Sequence, residues 1–182
     1  MKGISIAFAI AGLIVANPVV FRADAQEPTE NNRAGTLLFS AGMATLNSFD
    51  SQRDVAWSIA YQYPIFRYIG WSLEVLNEGH LELTRRDGLA SELWLGARLL
   101  DDRLLLQAGA GPYLYADTVE TDPDEDGSYR DDHGIYGLVS LAAQYDISKP
   151  VCLRFTWHRV ATDDHRDTDL VLLGLGWNFY RR

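Results

Sequence analysis

Apolar residues alternate with small or polar residues through most of the chain beyond residue 34. In the segment 54–62 the odd positions carry Val55, Trp57, Ile59 and Tyr61, whereas the even positions carry Asp, Ala, Ser or Gln. A repeat of two places these sets on opposite faces of a β-strand. No second apolar run of about 18 residues follows the N-terminal one, so helical membrane spans beyond that run are excluded. The chain is therefore predicted to be all-β.

The alternation recurs in eight predicted strands, and the lengths of the connections between them also alternate. Tight turns are predicted at 64–66, 101–102 and 148–150, and longer loops at 47–52, 79–88, 117–133 and 161–167. Short turns at one end and long loops at the other are typical of an even-stranded membrane barrel. The predicted strands are 35–46, 53–63, 67–78, 89–100, 103–116, 134–146, 150–160 and 168–180.

The two faces of the predicted strands indicate which side meets lipid. The non-apolar face is lean in charge and rich in Gly, Ala and Ser, which suits a narrow lumen. Trp57, Trp71, Trp157 and Trp177 lie on the apolar face, as an aromatic girdle requires, whereas Trp94 is expected inside. We therefore predict an eight-stranded antiparallel up-and-down transmembrane β-barrel over 35–182. A soluble sandwich or ligand-carrying barrel is the alternative.

The N-terminus has the features of an export signal. The apolar run 4–21 is followed by Ala23-Asp24-Ala25, which predicts a signal peptide over 1–25 and a short periplasmic segment over 26–34. A retained membrane anchor is the alternative. Cleavage would remove Lys2, Arg22 and Asp24, so the net charge would move from −9 to −10. This acidity argues against nucleic acid as a partner, and the expected location is the outer membrane of a Gram-negative cell.

Charged residues on the predicted inner face form a candidate lumen network. It consists of Glu74, Glu92, Arg98 and Arg154, with the polar Gln107, Thr156 and Asn178 nearby. We expect the acids and arginines to pair with one another, because an isolated charge in a narrow lumen would cost several kcal/mol. Ser140 also falls on the inner face and is expected to be a packed hydroxyl.

A second polar group falls at the predicted outer ends of the strands. A histidine beside a carboxylate can act as a general base near neutral pH, which makes this rim a candidate site for catalysis or ligand binding. A merely solvated rim is the alternative. The rim residues are Glu78, His80, Arg86, Asp87, Asp117, His133, His158 and Arg159.

The loop 117–133 contains a partial calcium-loop motif. Asp122, Asp124 and Asp126 precede Gly127 in the D-x-D-x-D-G order, but His133 stands where a closing Glu is required. A weak Ca²⁺ or Mg²⁺ site at the outer loops is therefore considered, and no other cofactor is expected. Divalent ions could also bridge the acidic loops to anionic lipopolysaccharide. A hydrated acidic loop is the alternative.

Several segments resemble the acyloxyacyl hydrolase or lipid A deacylase-like group of small outer-membrane barrels. The likeness lies in Asn77-Glu78-Gly79-His80, Arg86-Asp87-Gly88, the segment 111–118 and the closing segment 173–177. It implies acyl-ester hydrolysis by a Ser with a His as base, within a His-x-Ser-Asn motif. This chain has His158-Arg159-Val160-Ala161 at that position, so only the His matches. For such a hydrolase the catalytic candidates are His158 or His80 as the base and Glu78 or Asp117 as the residue that orients it, with an unidentified Ser or a water as the nucleophile.

Two function classes follow from these observations. The first is a non-enzymatic outer-membrane barrel with a plugged lumen, serving envelope integrity or surface binding through acidic outer loops. The second is a lipid A acyl-ester hydrolase of the outer leaflet. A diffusion porin ranks third, because eight strands leave little lumen. The expected partners are outer-membrane lipid, lipopolysaccharide and the barrel-assembly machinery, and a monomer is expected.

Overall fold

The structure is a computed structural model that describes residues 33–47, 52–81, 84–120, 129–162 and 166–180. The predicted signal peptide, most of the segment 26–34 and the candidate metal ligands Asp122, Asp124 and Asp126 lie outside these residues. No helix in the described part of the chain is long and apolar enough to cross a membrane.

Eight antiparallel strands close into one barrel in chain order, with β1 hydrogen-bonded to β8. The predicted all-β, eight-stranded, up-and-down barrel is therefore confirmed. The strands are β1 (Arg33–Leu46), β2 (Arg53–Pro64), β3 (Ile69–Leu81), β4 (Thr84–Leu99), β5 (Leu104–Glu120), β6 (Tyr129–Asp146), β7 (Val151–Ala161) and β8 (Thr168–Tyr180).

The barrel has two distinct ends. The connections 65–68, 100–103 and 147–150 lie at one end together with the start of β1 and the end of β8, and we call this the turn end. The opposite end of the barrel, where β1, β3, β5 and β7 end, we call the loop end. The tight turns were predicted correctly. β1 begins two residues before the predicted start of the barrel, so Arg33 and Ala34 belong to the barrel wall.

Strands extend into two of the predicted loops. β3 and β4 pair as far as Leu81 and Thr84, so the predicted loop 79–88 is wrong for most of its length. Residues 117–120 and 129–133 of the predicted loop 117–133 are likewise strand, since β5 and β6 pair as far as Glu120 and Tyr129. The reason is that backbone hydrogen bonds extend a hairpin without apolar alternation, whereas the sequence boundaries followed the alternation.

A β-bulge interrupts β3 near the loop end. The register with β4 shifts between Asn77 and His80, which inserts one extra residue in β3. Gly79 has a φ of +80° there, a conformation that glycine adopts without a Cβ clash. The shift keeps Glu78 facing the lumen and turns His80 outward, where it is exposed. The bulge therefore separates two residues that strict alternation would place on one face.

The outer face of the barrel is apolar. Large hydrophobic side chains point away from the lumen on every strand, including Phe39, Leu93, Leu173 and Leu175, each more than half exposed. Trp57 and Trp177 are exposed on this face, whereas Trp94 is buried in the lumen, as predicted.

Side chains fill the lumen. Near the loop end an apolar layer contains Leu76, Tyr113, Leu138, Leu170 and Leu172, all fully buried. A cavity of about 10 Å³, enough for roughly one water molecule, lies on the turn-end side near Gln62, Glu74 and Trp94. The described part of the barrel is therefore a packed body and contains no continuous channel.

Candidate functional site

A buried polar cluster lies in the middle of the lumen. It consists of Glu74 on β3, Glu92 on β4, Ser140 on β6 and His158 on β7, which we call the lumen cluster. The Ser140 hydroxyl lies 2.6 Å from Oε1 of Glu92 and 2.7 Å from Nδ1 of His158. Nε2 of His158 lies 3.6 Å from Oε1 of Glu74. All four side chains are nearly or fully inaccessible to solvent.

The strand register explains how these residues meet. Ser140 and His158 are direct partners in the pairing of β6 with β7. Glu92 lies opposite Gly111 and Pro112 of β5, where the β4–β5 pairing is interrupted. Because proline has no backbone N–H, it cannot donate a ladder hydrogen bond there. Alternate positions on neighbouring strands thus direct their side chains into one small volume.

Hydrogen-bond accounting fixes the donors in this cluster. When Glu92 is ionised, its carboxylate only accepts, and the hydroxyl has a single proton, so Ser140 donates to Glu92. His158 must then donate from Nδ1 to the Ser140 oxygen. In a neutral imidazole this leaves a lone pair on Nε2, which has no hydrogen-bond partner among the described residues. Oε2 of Glu92 has none either.

Arg154 lies in the lumen but does not pair with the two glutamates. Its guanidinium donates to the side-chain oxygens of Gln62 and, at 3.2 Å, Gln107, and its Cζ lies 4.6 Å from the centre of the Trp94 ring. Trp94 in turn donates to Ser72 at 2.8 Å. Amide oxygens are neutral acceptors that satisfy the planar guanidinium donors.

The predicted pairing of acids with arginines in the lumen is therefore wrong in its partners. Arg98 lies at the turn end, where its Nη1 is 3.7 Å from Asp146, and Arg33 donates to the same carboxylate at 2.7 Å. Neither Glu74 nor Glu92 has an arginine or lysine nitrogen of the described chain within 4.0 Å. The prediction assigned these residues correctly to the inner face, but alternation alone does not give the position of a residue along the barrel axis.

A second buried ionic cluster lies near the loop end. Arg86 donates three hydrogen bonds of 2.9 to 3.1 Å to Asp117, and its Nη1 lies 3.8 Å from Oε2 of Glu78. The stacked rings of Tyr115 and Tyr136, 4.0 Å apart, flank the guanidinium. We call Glu78, Arg86 and Asp117 the loop-end triad. Two carboxylates here share one arginine in a buried setting.

The predicted rim does not assemble as one site. His158 is buried in the lumen cluster, whereas His80 and His133 are exposed at the loop end. The expectation that three histidines share the rim is therefore wrong for His158. The neighbouring strand β6 begins at Tyr129 and not at 134 as predicted, so the wall extends further beyond His158 than expected. Glu78 and Asp117 are brought together, but by Arg86 and without a histidine.

The other rim residues form local contacts. Asp87 accepts from Asn77 and, at 3.0 Å, from Arg85. Arg159 donates to Asp167 at 2.9 Å and to Asp169 at 3.2 Å. These pairs are partly exposed, so they contribute little to stability.

Sequence reasoning missed two features of the lumen. Arg33 and Asp146 close its turn end, although the predicted strands began after Arg33 and left Asp146 at a strand terminus. It also assigned Ser140 a passive role, whereas the hydroxyl bridges Glu92 and His158. The sequence did contain a signal, because Ser140 on β6 and His158 on β7 both fall on the inward face. Knowledge of the register between these strands would have shown that the two residues are direct partners.

Comparisons with known proteins identify the fold. No protein-family model matches this chain, and no curated protein matches it. The crystal structure of Neisserial surface protein A superposes with a TM-score of 0.66 at 13% identity, covering 80% of this chain and 97% of that one. The N-terminal β-barrel domain of Pseudomonas aeruginosa OprF gives a TM-score of 0.61 at 9% identity, covering 81% and 98%.

Ail, the attachment invasion locus protein of Yersinia pestis, gives a TM-score of 0.57 at 13% identity, covering 80% of this chain and 99% of that one. At these identities the likeness shows a shared fold, that of small eight-stranded outer-membrane barrels. The resemblance to the acyloxyacyl hydrolase group finds no support in these comparisons.

Proposed function

We propose that this chain is an outer-membrane β-barrel with a closed lumen, which serves the cell envelope through its outer surface and neither conducts solutes nor catalyses a reaction. The observation that carries the proposal is the combination of an apolar outer face with a packed interior. An apolar outer face is stable when lipid surrounds the barrel, and a packed interior leaves no path for solutes through it.

The outer face supports a membrane location because of its extent. A soluble monomer rarely exposes a contiguous apolar patch larger than a few hundred Å², whereas here all eight strands present large apolar side chains outward. A closed barrel leaves no unpaired strand edge, which is the condition for crossing a bilayer with β-strands. We infer that the turn end faces the periplasm and the loop end the cell exterior, and that residues 1–25 are a cleaved signal peptide.

The β5–β6 hairpin supports a role at the surface. β5 has 17 residues and β6 has 18, whereas a tilted strand needs about 9–11 to cross a bilayer. The excess of about seven residues extends the hairpin by roughly 20 Å along the strands. Residues 117–133 contain eight acidic residues and one basic residue. We propose that this acidic hairpin contacts anionic lipopolysaccharide through bridging Mg²⁺ or Ca²⁺.

Two measurements test this proposal. Cell fractionation with heat-dependent gel mobility should place a folded barrel in the outer membrane, and liposomes that contain it should remain impermeable to small sugars. A soluble periplasmic protein, or sugar-permeable liposomes, would contradict the proposal.

The surface role has its own test. Binding to lipopolysaccharide vesicles should need Mg²⁺ and should fall in an Asp122→Asn, Asp124→Asn, Asp126→Asn variant. The control is Asp101→Asn with Asp102→Asn, which removes two acidic charges at the turn end. Equal loss in both variants, or binding unaffected by chelation, would refute the bridging role.

Acyl-ester hydrolysis is the second candidate, and one arrangement favours it. The lumen cluster contains a serine, a histidine and an acid in the order of a catalytic triad. The Ser140 hydroxyl lies 2.7 Å from Nδ1 of His158, and Nε2 of His158 lies 3.6 Å from Oε1 of Glu74. A lipid acyl chain has no access to these buried groups, however, and Val160 occupies the position where the family motif has its Ser. For this reason we place hydrolysis second.

Mass spectra of lipid A from cells with and without the protein decide between the two. The proposed function predicts identical spectra. If cells with the wild-type protein lose an acyl chain from lipid A, and Ser140→Ala, His158→Ala or His80→Ala prevents this loss, the protein is a hydrolase and the non-enzymatic role is refuted.

A further inference from the structure

We propose that Glu74, Glu92 and His158 form a binding site inside the lumen for one divalent transition-metal ion of the zinc class. A ligand atom from each of the three side chains lies within 4.8 Å of the other two. The three residues come from β3, β4 and β7, so an ion held by them would link both halves of the barrel wall across the lumen. This proposal is independent of the surface role.

The donor set suits such an ion. Imidazole nitrogen and carboxylate oxygens bind Zn²⁺ at about 2.0–2.2 Å, which places neighbouring ligand atoms of a tetrahedral site about 3.4 Å apart. The 3.6 Å separation of Nε2 of His158 and Oε1 of Glu74 already corresponds to one such edge. The third ligand atom, from Glu92, lies within 4.8 Å of the other two.

The hydrogen bonds of Ser140 leave one atom without a partner on each of two candidate ligands. Ser140 bonds to Oε1 of Glu92 and to Nδ1 of His158. The atoms left without a hydrogen-bond partner are Oε2 of Glu92 and Nε2 of His158, in residues that are at least 99% buried. Metal-bound histidines commonly donate their other ring N–H to a neighbouring acceptor, and Ser140 supplies that acceptor here.

A cation also resolves an electrostatic conflict. With Nδ1 acting as donor, the lone pair on Nε2 of a neutral His158 faces a carboxylate oxygen of Glu74, and two acceptors confront each other. Two buried carboxylates without an arginine or lysine nitrogen of the described chain within 4.0 Å are costly. Arg154, a buried cation of the lumen, directs its hydrogen bonds to Gln62 and Gln107.

Metal content after refolding tests the site. The untagged full chain is unfolded in urea with EDTA, refolded in detergent with or without Zn²⁺, desalted, and analysed for zinc and for heat-dependent gel mobility. Refolding is needed because the enclosed site would load while the barrel closes. We expect about one zinc ion per folded barrel, and about none in Glu92→Gln and His158→Gln. Glu78→Gln, which changes a buried glutamate of the loop-end triad, is the matched control and should retain the ion.

Two further measurements keep the proposal refutable if the ligand variants fail to fold. Ser140→Ala keeps all three ligands and should weaken zinc affinity about 10- to 100-fold through loss of orientation. Zn²⁺ at a hundredfold excess over its Kd should lower the unfolded fraction of the wild type about 100-fold. Folded wild type that retains no zinc would overturn the proposal. The alternative would then be that the side chains of the lumen cluster share a proton in place of a metal ion. Equal zinc in wild type and Glu92→Gln would also overturn it.

Discussion

Replacing Arg86 with Met should destabilise the barrel strongly, because it leaves two buried carboxylates without their cation. Arg86 donates three hydrogen bonds to Asp117 and lies 3.8 Å from Glu78, and all three side chains are at least nine-tenths buried. Removing one partner of a buried ion pair costs about 3–5 kcal/mol. The low exposure of the pair means that little of this cost is screened by solvent.

The effect should depend on charge and less on lost packing. In Arg86→Met with Asp117→Leu, one of the stranded carboxylates is gone, so most of the lost stability should return. Glu78→Gln alone should be neutral or stabilising, because it removes one of two buried acidic groups that share a single arginine. The double variant thus separates the cost of a stranded charge from the value of the ion pair.

Equilibrium urea unfolding in lipid vesicles, followed by tryptophan fluorescence and checked by gel mobility, measures these changes. A loss of about 3–5 kcal/mol corresponds to roughly a 150- to 5,000-fold shift in the unfolding equilibrium. A loss below about 1 kcal/mol in Arg86→Met would refute the account of the triad. So would a double variant no more stable than Arg86→Met alone.

Three further substitutions test the fold, each by the same unfolding measurement. Gly109→Ala should cost about 1–3 kcal/mol, because an added Cβ would lie 2.7 Å from the Trp94 ring, whereas Gly137→Ala, with nothing within 4 Å of its Cβ, should cost under about 1 kcal/mol; equal costs would refute the packing argument. Gly79→Ala should cost at least about 1–2 kcal/mol, since its φ is +80° at the bulge, and an unchanged stability would mean that the bulge is absent. Leu173→Arg should cost about 2–4 kcal/mol in lipid, and a neutral effect would place this face in water.

The barrel could be predicted because its two faces differ in composition at every second residue. Val55, Trp57 and Ile59 alternate with Ala56 and Ser58, and no helical periodicity competes with that pattern. The turns at 100–103 and 147–150 could be predicted from the sequence as well. Strand ends at the loop end were not, because polar residues such as Arg85 and Thr118 pair across strands as readily as apolar ones once a ladder is established.

The candidate sites were predicted as residues but not as clusters. Glu74, Glu92 and Arg154 were correctly assigned to the lumen, but their partners depend on the stagger between strands, which alternation does not encode. His158 was expected at the rim for the same reason. The bulge at Gly79 is a further example, since one inserted residue separates His80 from Glu78 and only the register with β4 reveals it.

Accessibility of single-cysteine spin labels tests the central claim most directly, namely that lipid surrounds this barrel. Leu173→Cys on the outer face of β8 and Arg85→Cys near the loop end are made separately in a Cys152→Ser background. Each variant is spin-labelled and measured in lipid vesicles. The account predicts that Leu173 is reached by oxygen from the lipid and protected from a water-soluble nickel chelate, whereas Arg85 shows the reverse. Equal access of the nickel chelate to both positions would contradict it.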